Sequence, residues 1–262
     1  MLKTRFFTAV VALVVLGVTL FLLPAQGAEL VIAAMILAGA WEWSGFLQAS
    51  TNVVRYLYVT LIAGLMAGFY FLYPTHAEIL LQVACVWWFG AFVWTFFFPT
   101  PIPSLLRWIC GVLVLLPVFA ALLFLYRLDA KYLLIALIIV WAADIGAYFS
   151  GKAFGRVKLA PQISPGKTWE GVFGGLLLVA ILTLSWAFFE NRNVMVLLPF
   201  CLAVAALSIV GDLTVSMFKR TAGLKDSGKL FPGHGGVLDR IDSISAAAPL
   251  FALGLTTLEL VQ

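Results

Sequence analysis

Residues 216–242 read SMFKRTAGLKDSGKLFPGHGGVLDRID and gather Lys219, Arg220, Lys225, Asp226, Lys229, Asp239, Arg240 and Asp242 around His234 and five glycines. The rest of the chain offers few such groups: the sequence is 63% hydrophobic and 11% charged. Charge is costly beside apolar surroundings unless it neutralises something, and cations interleaved with carboxylates suit phosphate and a metal ion. Asp212, Ser216 and Lys219 stand at i, i+4 and i+7, so one helix face would carry a carboxylate, a hydroxyl and an ammonium, with Ser208 a turn earlier on the same stripe. Asp212 and Asp239 would converge from two helices on Mg²⁺, which takes oxygen ligands and is commonly held by one or two carboxylates plus substrate phosphates. Asp239 and Asp242 are three residues apart and share a face if that segment is helical, with Arg240 directed elsewhere; a plain helix cap is the other reading of each.

The glycines set the character of the loop between these helices. Gly223, Gly228, Gly233, Gly235 and Gly236, with Pro232, rule out a continuous helix. Irregular backbone near a membrane is tolerated where it lines an aqueous cavity, and converging backbone N–H groups there would hold an anion, with His234 donating to a phosphate oxygen. A second polar segment, residues 151–171, contains Ser164-Pro-Gly-Lys-Thr168. It is not a P-loop, because Pro161 stands where that motif needs glycine and no strand precedes it. Ser164, Lys167 and Thr168 are nevertheless placed to touch phosphate ahead of a helix beginning near Thr168. Asp144, upstream, would face the same cavity.

The elements that must position these groups are membrane helices. The chain has 262 residues, nine Trp and 22 Phe, and a mean hydropathy of +1.08. That excludes a soluble domain and predicts an all-α polytopic membrane protein. Nine apolar stretches are long enough to span, roughly residues 6–24, 28–48, 53–73, 77–98, 105–126, 132–150, 172–189, 194–211 and 244–261, and several are continuous rather than alternating, against a β-barrel. With the N-terminus inside, thirteen of the sixteen Lys and Arg residues fall on the cytoplasmic side, leaving Arg127, Lys131 and Arg192 outside. This bias predicts an N-in, C-out topology with loops 151–171 and 212–243 in the cytoplasm. The first apolar run, about eighteen residues, is longer than a signal-peptide core and reads as a span.

Residues 1–130 would form a transmembrane scaffold and residues 131–262 a catalytic bundle. In the scaffold, Glu29 and Glu78 sit near span ends and would reach the interface, whereas Glu42, between Trp41 and Trp43, lies deeper and would pair inside the bundle or face a cavity. Pro117 should kink its span, and Gly64 and Gly68 should let helices approach closely. Cys85, Cys110 and Cys201 lie in spans without metal-ligand spacing and imply no disulfides.

The pattern of Ser216, Phe218, Lys219, Arg220, Lys225, Asp226, Gly228, Phe231, Pro232, His234, Gly235, Gly236, Val237, Asp239, Arg240, Ile241 and Asp242 resembles the signature of the phosphatidate cytidylyltransferases (CDP-diacylglycerol synthases). The stretch from Asp144 through Ala147, Tyr148, Gly151 and Lys152, and the segment Ser164–Gly171, are similar to that family too, so the likeness covers about residues 140–243. One departure is Gly166, where the family commonly has lysine. The resemblance implies transfer of CMP from CTP to phosphatidic acid with release of pyrophosphate, a requirement for Mg²⁺ with room for a second cation, a metal centre at Asp212 and Asp239, and a homodimer. Lys219, Arg220, Lys225, His234 and Arg240 would spread over the phosphates, and Asp226 and Asp242 would orient those cations or serve as outer-shell ligands of the metal. A bacterial inner membrane is the expected location, and no nucleic-acid partner is expected. Two other readings stay open: a cytidylyltransferase for another membrane lipid phosphate, and an anion or lipid-phosphate transporter, which should show ionisable groups near the midplane and symmetry between halves.

Overall fold

The computed structural model describes residues 2–47, 51–72, 77–231, 235–258 and 260. Its element order is α1 (Leu2–Phe21), α2 (Ala25–Trp43), a 3₁₀ turn (Ser44–Leu47), α3 (Asn52–Leu72), α4 (Ala77–Thr95), α5 (Ser104–Leu128), α6 (Ala130–Phe154), β1 (Lys158–Ala160), β2 (Ser164–Thr168), α7 (Trp169–Phe189), α8 (Val194–Thr221) and α9 (Leu238–Thr257). Among the described residues seven helices, α2 to α8, are long and apolar enough to cross a membrane, and α1 adds the apolar stretch Phe7–Phe21. The protein is a multi-pass helical membrane protein. Its outward apolar side chains, among them Phe71, Val86, Phe188 and Phe189, are largely exposed, as expected where lipid is the solvent. Helices satisfy their own backbone groups there.

Small residues decide which helices touch. A Cβ on Gly146 would meet the carbonyl oxygen of Gly174 at 2.6 Å, and one on Gly171 would meet that of Ala147 at 3.0 Å. The antiparallel pair α6 and α7 therefore packs backbone to backbone, which in lipid is the main route to tight association. Gly211 does the same for α8 and α9: a Cβ there would run into the carbonyl of Asp242. The pair foreseen at Gly64 and Gly68 does not act this way, since a side chain at either would meet nothing within 4 Å; close approach falls instead in the second half. Helix α9 also packs on α4 and α5, so it is wedged between both halves of the chain.

One further reading is corrected. The segment ahead of Ser164, expected to hold no strand, contains β1, which forms an antiparallel hairpin with β2, Lys158 opposite Thr168 and Ala160 opposite Ser164. Glu29 has partners. It pairs with Arg127 through Nε–Oε1 (2.6 Å) and NH2–Oε2 (3.1 Å), and Tyr70 donates to the same carboxylate at 3.1 Å. Glu78 is exposed, and all three cysteines are free.

Candidate active site

The polar segments meet at one end of the bundle. Helix α8 continues as helix well past its apolar run, and Phe218, packed against Trp43 of α2 and Trp94 of α4 with ring centroids 4.9 and 5.9 Å away, anchors that extension. This fixes the next residue. Lys219 is buried, its ammonium 2.8 Å from Asp239 Oδ1 and 3.7 Å from Asp242 Oδ2. Both aspartates lie within the first turns of α9, on one face, and Arg240 between them is exposed, as the three-residue spacing predicts. One turn back along α8, Ser216 donates to Asp212 Oδ1 at 3.0 Å, and Asp212 Oδ2 lies 2.7 Å from the Lys167 ammonium. Lys167 reaches it from β2, whose position follows from the α6–α7 contact.

Four carboxylates from three helices, Asp144, Asp212, Asp239 and Asp242, thus lie within electrostatic reach of two ammonium groups, Lys167 and Lys219. Asp212 lies within electrostatic reach of Asp144 on α6 and of Asp242 on α9. Asp239 precedes the apolar part of α9. Its burial acts to raise its pKa, but the Gly236 N–H, the Lys219 ammonium and the Ser227 N–H together hold the carboxyl below its ordinary value. Both backbone donors sit 2.9 Å from Oδ2.

The other expected residues have different surroundings. Thr168 is buried and caps α7, its hydroxyl oxygen accepting the Gly171 N–H at 3.2 Å, and Ser164 is half-buried in β2. Arg220 braces the hairpin, donating from Nε to the Ile163 carbonyl at 3.0 Å and from NH1 to the Leu224 carbonyl at 3.4 Å. Lys225 and Asp226 are exposed on the loop. His234 lies outside the described residues.

Among the described residues no group of three or more His, Cys, Asp or Glu is arranged to hold a metal ion. Carboxylate oxygens are the hard donors that Mg²⁺ takes, one or two of them commonly serving beside substrate phosphates.

A family model described as the Cytidylyltransferase family matches residues 3–258. The chain belongs to this family. The match extends well beyond the segment 140–243 that carries the signature, into the N-terminal helices. Among curated relatives, the phosphatidate cytidylyltransferase of Pseudomonas aeruginosa is 46% identical over 261 residues, covering 96% of each chain. That of Haemophilus influenzae is 39% identical over 96% of this chain and 98% of its own. The phosphatidate cytidylyltransferase of Staphylococcus aureus strain COL is 49% identical over 121 residues, 45% of this chain and 46% of its own.

Within this cytidylyltransferase fold one participant was not assigned from the sequence. Glu42, at the end of α2, accepts hydrogen bonds from the Ser227 hydroxyl (3.0 Å), the Val237 N–H (3.0 Å) and the Leu238 N–H (2.8 Å). The signal was present: a carboxylate between two tryptophans, deep in an apolar run, needs partners that a glycine-rich loop of free N–H groups can supply.

Proposed function

We propose that the protein is a phosphatidate cytidylyltransferase, transferring CMP from CTP to phosphatidic acid to give CDP-diacylglycerol and pyrophosphate. The observation that carries this reading is the pair of ammonium groups, Lys167 and Lys219, each held by aspartates from another element at one end of a membrane bundle. Two polyanions must be brought together in this reaction, and paired cations can exchange partners. Each ammonium leaves one anion for another without passing through a bare buried charge, which would be costly.

The phosphatidate phosphate is already ionised near neutral pH, so no strong base is needed. Its oxygen attacks the α-phosphorus of CTP in line; the bond from that phosphorus to the oxygen bridging the β-phosphate breaks, and pyrophosphate departs with the electron pair. Lys167 and Lys219 would take phosphate oxygens, joined by the exposed Lys225 and Arg240 and by His234 as a further donor, while Arg220 braces the hairpin. Asp212 and Asp239 would hold Mg²⁺, which when bound supplies neutralising charge to phosphate oxygens, and Asp242 would orient the Lys219 ammonium. Asp144 would orient the lysines. A second cation would find carboxylates among the same four aspartates.

The reading includes nine spans, the ninth being the apolar part of α9 from about residue 244, in an N-in, C-out arrangement that puts the site at the cytoplasmic face of a bacterial inner membrane, where phosphatidate presents its headgroup. Scaffold residues 1–130 would support the catalytic residues 131–262, and two copies would associate as a homodimer. The deciding measurement is pyrophosphate release by the purified protein in mixed micelles. Release should require CTP, phosphatidate and Mg²⁺ together. Silence with that mixture, or equal release with any lipid phosphate, would overturn the assignment.

A further inference from the structure

The Glu42 carboxylate sits in an unusual position for a charge. It is 8% exposed, comes from the N-terminal half of the chain, and bonds residues 185 to 196 positions later in sequence. Its partners are not random. Val237 and Leu238 open α9, a helix whose own N-cap residue supplies no side-chain hydrogen bond, so Glu42 satisfies two of the N–H groups that a helix start leaves open. It also neutralises the positive end of the helix dipole. Ser227 follows Lys225 and Asp226 in the signature loop. The fit is close on two sides: a Cβ on either Gly228 or Gly236 would run into the Glu42 carboxylate. Ser227 and Gly236 are in turn the residues whose N–H groups hold Asp239.

Resting on the cytidylyltransferase reading above, we infer that Glu42 is a positioning residue of the transfer reaction: from the scaffold it sets the signature loop and the start of α9, and so places Lys225, Asp239 and Asp242 without touching substrate. Two of the loop glycines are then accounted for by room for this carboxylate rather than by a phosphate. Misplacement of about 1 Å away from the chemistry is enough to lose roughly a hundredfold in rate.

The test compares Glu42→Gln, Glu42→Ala and Gly236→Ala with the wild type, purified in the same detergent, with CTP and phosphatidate varied separately. The wild type must transfer CMP; if it does not, the functional reading fails and Glu42 is not at issue. Glu42→Gln keeps acceptor oxygen and should lose about tenfold in kcat/KM, and Glu42→Ala about a hundredfold. The loss should lie in the KM for CTP, because the displaced loop carries cations, while the KM for phosphatidate stays within about twofold. Gly236→Ala leaves every donor in place and only pushes on the carboxylate, so it should show the same CTP signature and add nothing in the Glu42→Ala background. Three results would overturn the inference: unchanged kinetics in Glu42→Ala, a fall in kcat alone that tracks the folded fraction by size exclusion, or losses from Glu42 and Gly236 that simply multiply.

Discussion

Replacing Asp239 by asparagine removes one charge and almost no volume, and the consequences can be followed bond by bond. Asp239 takes three hydrogen bonds: from the Lys219 ammonium on Oδ1 at 2.8 Å, and from the Ser227 and Gly236 N–H groups on Oδ2 at 2.9 Å each. Asparagine has a single acceptor oxygen. If that oxygen stays with the two loop N–H groups, the amide NH₂ faces the ammonium, donor against donor. If it turns to Lys219, two backbone donors are stranded. Removing one partner of a buried pair costs about 3–5 kcal/mol. Asp242, still 3.7 Å from the ammonium, offsets part of this, leaving about 2–3 kcal/mol. At about 2–4 °C per kcal/mol for a chain of this size, the melting temperature in detergent should fall by roughly 5–10 °C. Turnover should fall about 10²–10³-fold, the usual loss when a positioned polar group is removed from a charged transition state. Asp226→Asn is the internal control: it is exposed on the same loop, and its melting temperature should hold, as surface changes usually stay within about 0.5 kcal/mol. An Asp239→Asn protein with wild-type melting and turnover would refute the reasoning.

Three further outcomes follow. The Asp239 carboxyl is held below its ordinary value, so its contribution to stability is present above the unfolded pKa of about 3.9 and is lost as pH falls through the lower folded value; the melting gap between wild type and Asp239→Asn should narrow on acidification toward pH 3, and a gap that widened would reverse the sign assigned here. Lys167→Ala releases Asp212 from its 2.7 Å partner and removes a cation offered to phosphate, so kcat/KM for CTP should drop at least tenfold, checked by initial rates of pyrophosphate release, with Lys167→Arg recovering part of it. Gly211→Val drives a side chain into the backbone of α9 at Asp242; overpacking of this kind costs about 1–3 kcal/mol, and it should lower both melting temperature and activity, whereas Gly64→Val, where nothing lies within 4 Å, should leave melting unchanged.

The helices were legible because their apolar runs are continuous: the nine apolar stretches coincide with helices α1 to α9 to within a few residues at most ends, and seven of these helices are long and apolar enough to cross a membrane. The extension of α8 through Lys219 was also legible, since Asp212, Ser216 and Lys219 keep helical spacing beyond the point where the apolar run stops. The hairpin of β1 and β2 was not. Strands of three and five residues, Lys-Leu-Ala and Ser-Pro-Gly-Lys-Thr, are too short to show alternation; the hairpin is closed at its base by the Trp169 N–H donating to Val157 O at 2.9 Å and by Glu170 accepting from the Val157 N–H at 3.1 Å, and is braced from α8 by Arg220 at the Ile163 carbonyl. The glycines show the same limit. Gly64 and Gly68 have the small-residue spacing that invites packing, yet the contact is made at Gly146, Gly171 and Gly174, because spacing states that a helix can be approached and not which neighbour does so. Glu42 was noticed as a buried carboxylate, but its partners lie nearly two hundred positions away, and no local pattern carries that distance.

A division of labour among the polar residues follows from their bonding. Thr168, Arg220 and Glu42 hold backbone groups: a helix start, two loop carbonyls, and another helix start. Backbone cannot leave, so these side chains brace the site whatever is bound. Lys167, Lys219, Asp212 and Asp242 hold one another, and partners of that kind can be traded for phosphate on one side and a metal ion on the other. Asp239 belongs to both groups, gripping loop backbone with one oxygen and an exchangeable ammonium with the other. It is therefore the point at which a nucleotide drawing Lys219 away would be felt by the loop. In that arrangement the two lysines never stand bare in a greasy surrounding before substrates arrive, which answers the cost of keeping such charges at the edge of a bilayer.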